Sequence, residues 1–198
     1  RGQAISYVRD PDGTGALVGM FDETAFKDWV DGYVVVTTDT GVHGYERCYD
    51  AGRLATLTGL PASSRDSLSS TLYLPQVALF EGNDTVVRLV NINPKPKPTT
   101  ETGNIAPQDT VDLSVSVRIS FKDEQGVDIA APIDMVLTAG QSITKSVATL
   151  FSLQSPGHVV SGWLTVEANK PEVVGSAEYS LFSGKALSAI PLQPLGSD

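Results

Sequence analysis

Val111-Asp112-Leu113-Ser114-Val115-Ser116-Val117-Arg118-Ile119-Ser120-Phe121 alternates without a break. Val111, Leu113, Val115, Val117, Ile119 and Phe121 fall on one side, and Asp112, Ser114, Ser116, Arg118 and Ser120 on the other. A period of two belongs to a β-strand, whose successive side chains point to opposite faces. One apolar and one polar face predict a half-buried antiparallel strand with water on one side. Working outward, Tyr33-Val34-Val35-Val36-Thr37 and Thr85-Val86-Val87-Arg88-Leu89-Val90 are β-branched runs of strand length, and residues 142–150, 162–168, 173–181 and 186–191 continue the pattern. Asp12-Gly13, Gly82-Asn83-Asp84, Gln125-Gly126, Ala139-Gly140, Pro156-Gly157, Asn169-Lys170-Pro171 and Ser183-Gly184 punctuate the runs as turns. Helical signal is thin: about two turns over residues 22–29, with Asp22 as N-cap, while residues 52–60 are ambiguous because their pattern also alternates. The expected fold is all-β: an antiparallel sandwich with at most one or two short helices.

Composition bounds the function. The 198 residues carry 14 Lys plus Arg against 23 Asp plus Glu, a net charge of −9. Such a chain is a poor match for nucleic acid or an anionic membrane surface, both of which demand clustered cations. Cys48 is the single cysteine, so no disulfide forms within the chain. No apolar run reaches the ~18 residues of a membrane span. Arg1-Gly2-Gln3-Ala4-Ile5 is no signal peptide and runs at once into strand-like sequence; the expectation is that sequence upstream of Arg1 has been removed.

Residues 94–110 stand apart, with Pro94, Pro96, Pro98 and Pro107 among lysines and threonines. Alternating Pro and Lys favours an extended exposed loop and cannot enter a central strand. The polar stretch 63–70 reads as a linker.

Two parts of the chain look alike. Gly32-Tyr33-Val34-Val35-Val36 matches Gly162-Trp163-Leu164-Thr165-Val166. Each is followed by a turn, a short strand with Gly44 or Gly175, an aromatic (Tyr49 or Tyr179), then Gly52-Arg53 or Gly184-Lys185, and a closing Leu60-Pro61 or Ile190-Pro191. Ile5-Ser6-Tyr7 with Asp12-Gly13 likewise matches Ile119-Ser120-Phe121 with Gln125-Gly126. Residues 71–193 then form one complete module, followed by a tail at 194–198. Residues 1–62 form a partial one that lacks the counterpart of an opening hairpin over 72–91. Such a partial module is completed by upstream sequence, by a strand from another subunit, or by rearrangement onto the second module.

Leu74-Pro75-Gln76-Val77-Ala78, residues 83–91 and Ile119-Ser120-Phe121-Lys122-Asp123-Glu124-Gln125-Gly126 resemble tandem immunoglobulin-like β-sandwich modules of bacterial surface and secreted proteins. The Pro-Lys loop is a departure from them. The resemblance implies an extracellular or cell-surface location and a structural or adhesive role. It supplies no catalytic residue.

The chemistry-bearing residues are few. His43 and Cys48 lie five apart, which puts them on opposite faces of a strand and disfavours a dyad. His158 follows Pro156-Gly157 in a turn. Asp10 and Asp12 before Gly13 begin like a calcium loop but lack its distal ligands, and a hairpin turn explains them with fewer requirements. Trp29, Tyr33, Tyr45, Tyr49 and Trp163 are the candidates for stacking on a sugar; the shared repeat position of Tyr33 and Trp163 favours the core for those two. No catalytic or cofactor-binding residue is expected, and no enzyme activity. The expected function is a non-enzymatic subunit or module of an extracellular assembly, a fibre, pilus-like appendage or adhesin, whose partners are protein subunits including copies of itself. Ile5, Tyr7, Tyr33, Val35, Leu72, Leu74 and Val77 mark the edges expected to take an added strand. The alternative is a carbohydrate-binding accessory module of a secreted protein.

Overall fold

The computed structural model describes residues 45–49, 57–61, 63, 67–80, 83–94, 112–153, 159–181 and 186–195, all within a compact unit that spans Thr38–Asp198. The order is β1 (Tyr45–Tyr49), β2 (Leu57–Pro61), β3 (Thr71–Leu79), β4 (Asp84–Asn91), β5 (Val115–Lys122), β6 (Ile133–Leu137), β7 (Ser142–Ser146), α1 (Val147–Leu150), β8 (Val160–Ala168), β9 (Val173–Leu181), β10 (Ala186–Pro191) and β11 (Gln193–Pro194). All the pairings are antiparallel. One sheet runs β11-β3-β8-β5-β6 and a second β10-β9-β4-β7, while β1 and β2 pair with each other. The described residues are mostly antiparallel β-sheet, consistent with the all-β class that the alternation predicts.

The alternating apolar residues of both larger sheets meet in one cluster. Leu74, Ile119, Phe121, Leu164 and Val166 enter it from the five-stranded sheet, and Val87, Leu89, Val173 and Ala177 from the four-stranded one. Each fully buried Leu, Ile or Phe contributes roughly 1.5–3 kcal/mol by leaving water. Phe151, just past α1, packs its ring 5.7 Å from that of Phe121.

Three expectations are corrected. First, the opening strands 72–91 are not a hairpin of one sheet. β3 and β4 are joined by a tight turn in which Phe80 and Asn83 exchange main-chain hydrogen bonds, and they part into opposite sheets. Second, strand character over 142–150 stops at Ser146. Its hydroxyl accepts from the Thr149 amide at 3.1 Å, a cap that turns Val147–Leu150 into one helical turn. Third, the alternating run 111–121 becomes a ladder only at Val115, because the carbonyls before it are engaged elsewhere. Leu113 O accepts from Asn91 and Asn93, while Asp112 O and Ser114 O accept from the Lys170 ammonium. The helix expected over 22–29 and the strand over 33–37 lie outside the described residues.

Turn chemistry follows the sequence closely. The Asp123 carboxylate accepts from the amides of Gln125 and Val127, and Gly126 sits at φ 81°. Asp112 is held the same way by the Ser114 amide, which lowers its pKa from the ordinary carboxylate value.

Asn91 is fully buried and joins the two sheets at one end. Its Nδ2 donates to Leu113 O at 2.9 Å and to Leu137 O at 3.0 Å, while its Oδ1 accepts from the Asn93 amide at 3.0 Å. Near the opposite end of β4, the Tyr179 hydroxyl of β9 donates to Gln76 O, inside the register shift of β3. That contact also spans the sheets.

The β1–β2 hairpin lies against β10. It opposes Tyr45 to Pro61, as β9–β10 opposes Ser176 to Pro191. Counted from those prolines, and from the glycine before each first residue, the two hairpins share a register. Their chemistry differs one step on, where Leu60 faces Glu46 but Ile190 faces the buried Ala177.

The packing sets the cost of four changes. A Cβ on Gly162 would stand 2.0 Å from Lys122 O and 2.9 Å from the Phe121 ring, and the main-chain clash cannot relax by a rotamer change. Gly162→Ala is therefore expected to cost about 3 kcal/mol or more, read as a shift in the urea midpoint. Gly175→Ala would meet Leu89 Cδ2 at 2.8 Å and Arg88 O at 3.0 Å, a milder crowding that should cost less. Asn91→Ala takes the carboxamide donor from Leu137 O and leaves Leu113 O with Asn93 alone; at about 1–3 kcal/mol for a dry carbonyl that loses its donor, a midpoint loss somewhat below that of the Gly162 variant is expected. Burial raises the Tyr179 pKa from its ordinary 10 to about 12. The folded chain thus keeps this proton where the unfolded chain has lost it, and stability should fall as pH rises from 10 to 12. Denaturation at stepped pH should show a shallower decline over that window for Tyr179→Phe.

Candidate functional site

The features with functional content are the edges of the sheets, because an edge strand presents unpaired main-chain groups. Each edge differs in its defences. β7 is five residues long, carries Lys145 and ends in the cap of α1. β11 spans two residues, one of them Pro194, and covers β3 only at Leu72 and Tyr73. Beyond that cover, β3 holds Pro75 within the irregularity between Leu74 and Val77, and Tyr179 occupies the Gln76 carbonyl. The β10 edge has β2 against it.

β6 is as short as β7, and the Thr138 amide just past its end is taken by Gln141 Oε1. Its inner edge pairs with β5, and no other described strand pairs with its outer edge. The strand itself contains neither Pro nor Lys. Val136 projects from the outer face at 58% exposure, opposite Ser116. The charge on this strand, Asp134, already pairs with Arg118 at 3.4 Å across the ladder. Both partners are well exposed, so the pair contributes at most about 1 kcal/mol.

The residues singled out from sequence fall in different places. Leu72, Leu74 and Val77 lie on β3 with their side chains buried in the core. Any strand added along β3 would therefore meet main chain rather than these side chains. Ile5, Tyr7, Tyr33, Val35, Asp10, Asp12, Trp29, His43 and His158 lie outside the described residues. Tyr45, Cys48 and Tyr49 form part of β1. Among the described residues no group of three or more His, Cys, Asp or Glu is gathered as for a metal ion. No described helix is long and apolar enough to cross a membrane.

Trp163, expected in the core, is half-buried on the outer face of its sheet. The alternation that turns Leu164 and Val166 inward turns Trp163 and Thr165 outward. Its ring lies 5.4 Å from that of Tyr73 at 56°, and its indole N–H donates to Asp123 O at 2.9 Å. This contact fastens the β5–β6 turn to the centre of the sheet. A stacking platform for sugar needs rings that share a plane, and these two are tilted.

The β6 edge gave no clear signal in the sequence, since Ile133-Asp134-Met135-Val136-Leu137 is short and follows Pro132. Its alternation around an Asp was the available sign. No protein-family model, curated protein or solved structure matches this chain.

Proposed function

We propose that this protein is a non-enzymatic structural module of an extracellular or cell-surface assembly that associates through strand edges. The observation that carries the reading is the β1–β2 hairpin lying against the β10 edge with the register of β9–β10. A hairpin resting on a sheet-edge strand is the kind of neighbourhood from which strand addition between modules can start.

We further read the complete module as immunoglobulin-like. β4 pairs with β7 and β5 with β8, as the B–E and C–F pairs of such a sandwich do. β6 joins β5 as an added C′ strand would. β9 and β3 flank this core where the first and last strands of that fold lie, so the two flanking strands are exchanged. The exchange leaves the four central strands, and the core they enclose, unaltered.

Carbohydrate binding is the second reading, favoured by the outward Tyr73–Trp163 pair. The tilt of the rings and the engaged indole N–H weigh against it.

Light scattering on the native chain, with negative-stain microscopy, tests the proposal. Concentration-dependent oligomers or filaments are expected. A clean monomer whose migration is retarded in gels cast with soluble polysaccharide would sink the structural reading in favour of the second.

A further inference from the structure

We propose that Asn83 is an N-glycosylation site and that the glycan is added before the chain folds. The inference goes beyond the structural reading above and rests on its extracellular location, because lipid-linked sugar donors are used on the non-cytoplasmic side of a membrane. The sequence at the site is Glu81-Gly82-Asn83-Asp84-Thr85. Asparagine followed two residues on by Thr, with a residue other than Pro between, is the acceptor pattern for N-glycosylation. Bacterial oligosaccharyltransferases ask in addition for an acidic residue two places before the asparagine, and Glu81 stands there. The chain has five asparagines, and Asn91, Asn93, Asn104 and Asn169 all lack the hydroxyl residue two places on.

The fold carries this pattern where a bulky surface group can be held. Asn83 closes the tight turn between β3 and β4, its amide donating to Phe80 O at 2.8 Å. The residue is partly exposed, with its Oδ1 enclosed. In a planar carboxamide Nδ2, the atom that takes the sugar, diverges from that oxygen. Beside the turn, Val159 is 62% exposed, one step beyond the Val160 that pairs with Leu79. A glycan on Asn83 would shelter this apolar side chain from water.

Thr85 sets the timing. A transferase recognises the hydroxyl of that residue. In the folded chain Thr85 is wholly buried, and its Oγ1 accepts from the Ala78 amide and donates to Ala78 O, both at 3.2 Å. The folded site is therefore closed to the enzyme. During synthesis it is open: β3 needs β8, and β4 needs β7 and β9, and none of these strands exists when Asn83 emerges. In the transfer, Asn83 Nδ2 attacks C1 of an oligosaccharide held on a lipid pyrophosphate. The C1–Nδ2 bond forms and the C1–O bond breaks. The lipid pyrophosphate leaves with the electron pair, and one Nδ2 proton passes to water.

The test begins with the full chain taken from the cells that make it. Trypsin releases residues 66–88 as one peptide, in which Asn83 is the sole asparagine. This peptide should exceed its sequence mass by a whole number of sugar residues, and fragmentation should place them on Asn83. The addition should be lost in Asn83→Gln and in Thr85→Val and kept in Thr85→Ser. Unmodified chain diluted from urea into membranes that hold an oligosaccharyltransferase and its lipid-linked donor should gain several-fold more glycan than chain refolded first. Equal gain by the refolded chain overturns the timing, and addition that persists in Thr85→Val overturns the site. A peptide from the native source at its bare sequence mass overturns the proposal. If protease added to intact cells still cuts that chain, the surface location stands without it; a chain protected inside the cells removes both.

Discussion

Asn91 ties the architecture together. It ends β4 in one sheet, yet its carboxamide holds the carbonyl of Leu113 just before β5 and that of Leu137 at the end of β6 in the other. A buried carboxamide with both N–H groups donated and its oxygen occupied has little freedom to adopt another arrangement. The two sheets are therefore fixed in relative position by directional bonds at this end, and by the Tyr179–Gln76 contact near the other. Between these points, non-directional apolar packing sets the spacing. Asn93 repeats the hold on Leu113, so both margins of the Pro-Lys loop are anchored even though its prolines cannot join a ladder.

Most strands could be read from the chain because period-two alternation states directly which face is buried. Residues 173–181 and 186–191 emerge with the limits the alternation suggests. The failures share a cause, which is competition for main-chain hydrogen bonds by side chains distant in sequence or by a local cap. Asn91 and Lys170 delay β5, and Ser146 ends β7. Pairing partners were equally hidden. Nothing in residues 71–91 tells β3 to choose β8 rather than β4, because alternation specifies a face and not a neighbour. The same limit explains Leu72, Leu74 and Val77. They were recognisable as strand residues, but whether a strand lies at an edge depends on segments nearly a hundred residues away.

The glycines at the start of each repeated segment acquire a physical meaning from the sandwich. Gly162 lets the main chain of β8 approach Lys122, and Gly175 lets β9 approach Arg88 and Leu89. Both glycines relieve crowding where a strand passes close to its neighbour. A glycine near the start of a strand here marks close contact between segments. Trp163, next to Gly162, then covers the outer surface of the same crossing and bonds to Asp123 O. The Gly-aromatic pair is thus one device with an inner and an outer half.

The position of β8 has a consequence for the order of events during synthesis. β8 is flanked by β3 and β5, so the five-stranded sheet has no centre until residue 168 has been made. Until then β3 and β5 are apolar strands without the neighbour that separates them. Pairings this distant in sequence form slowly, and the waiting strands are open to mispairing. A chain of this design gains from being kept unfolded until it is whole.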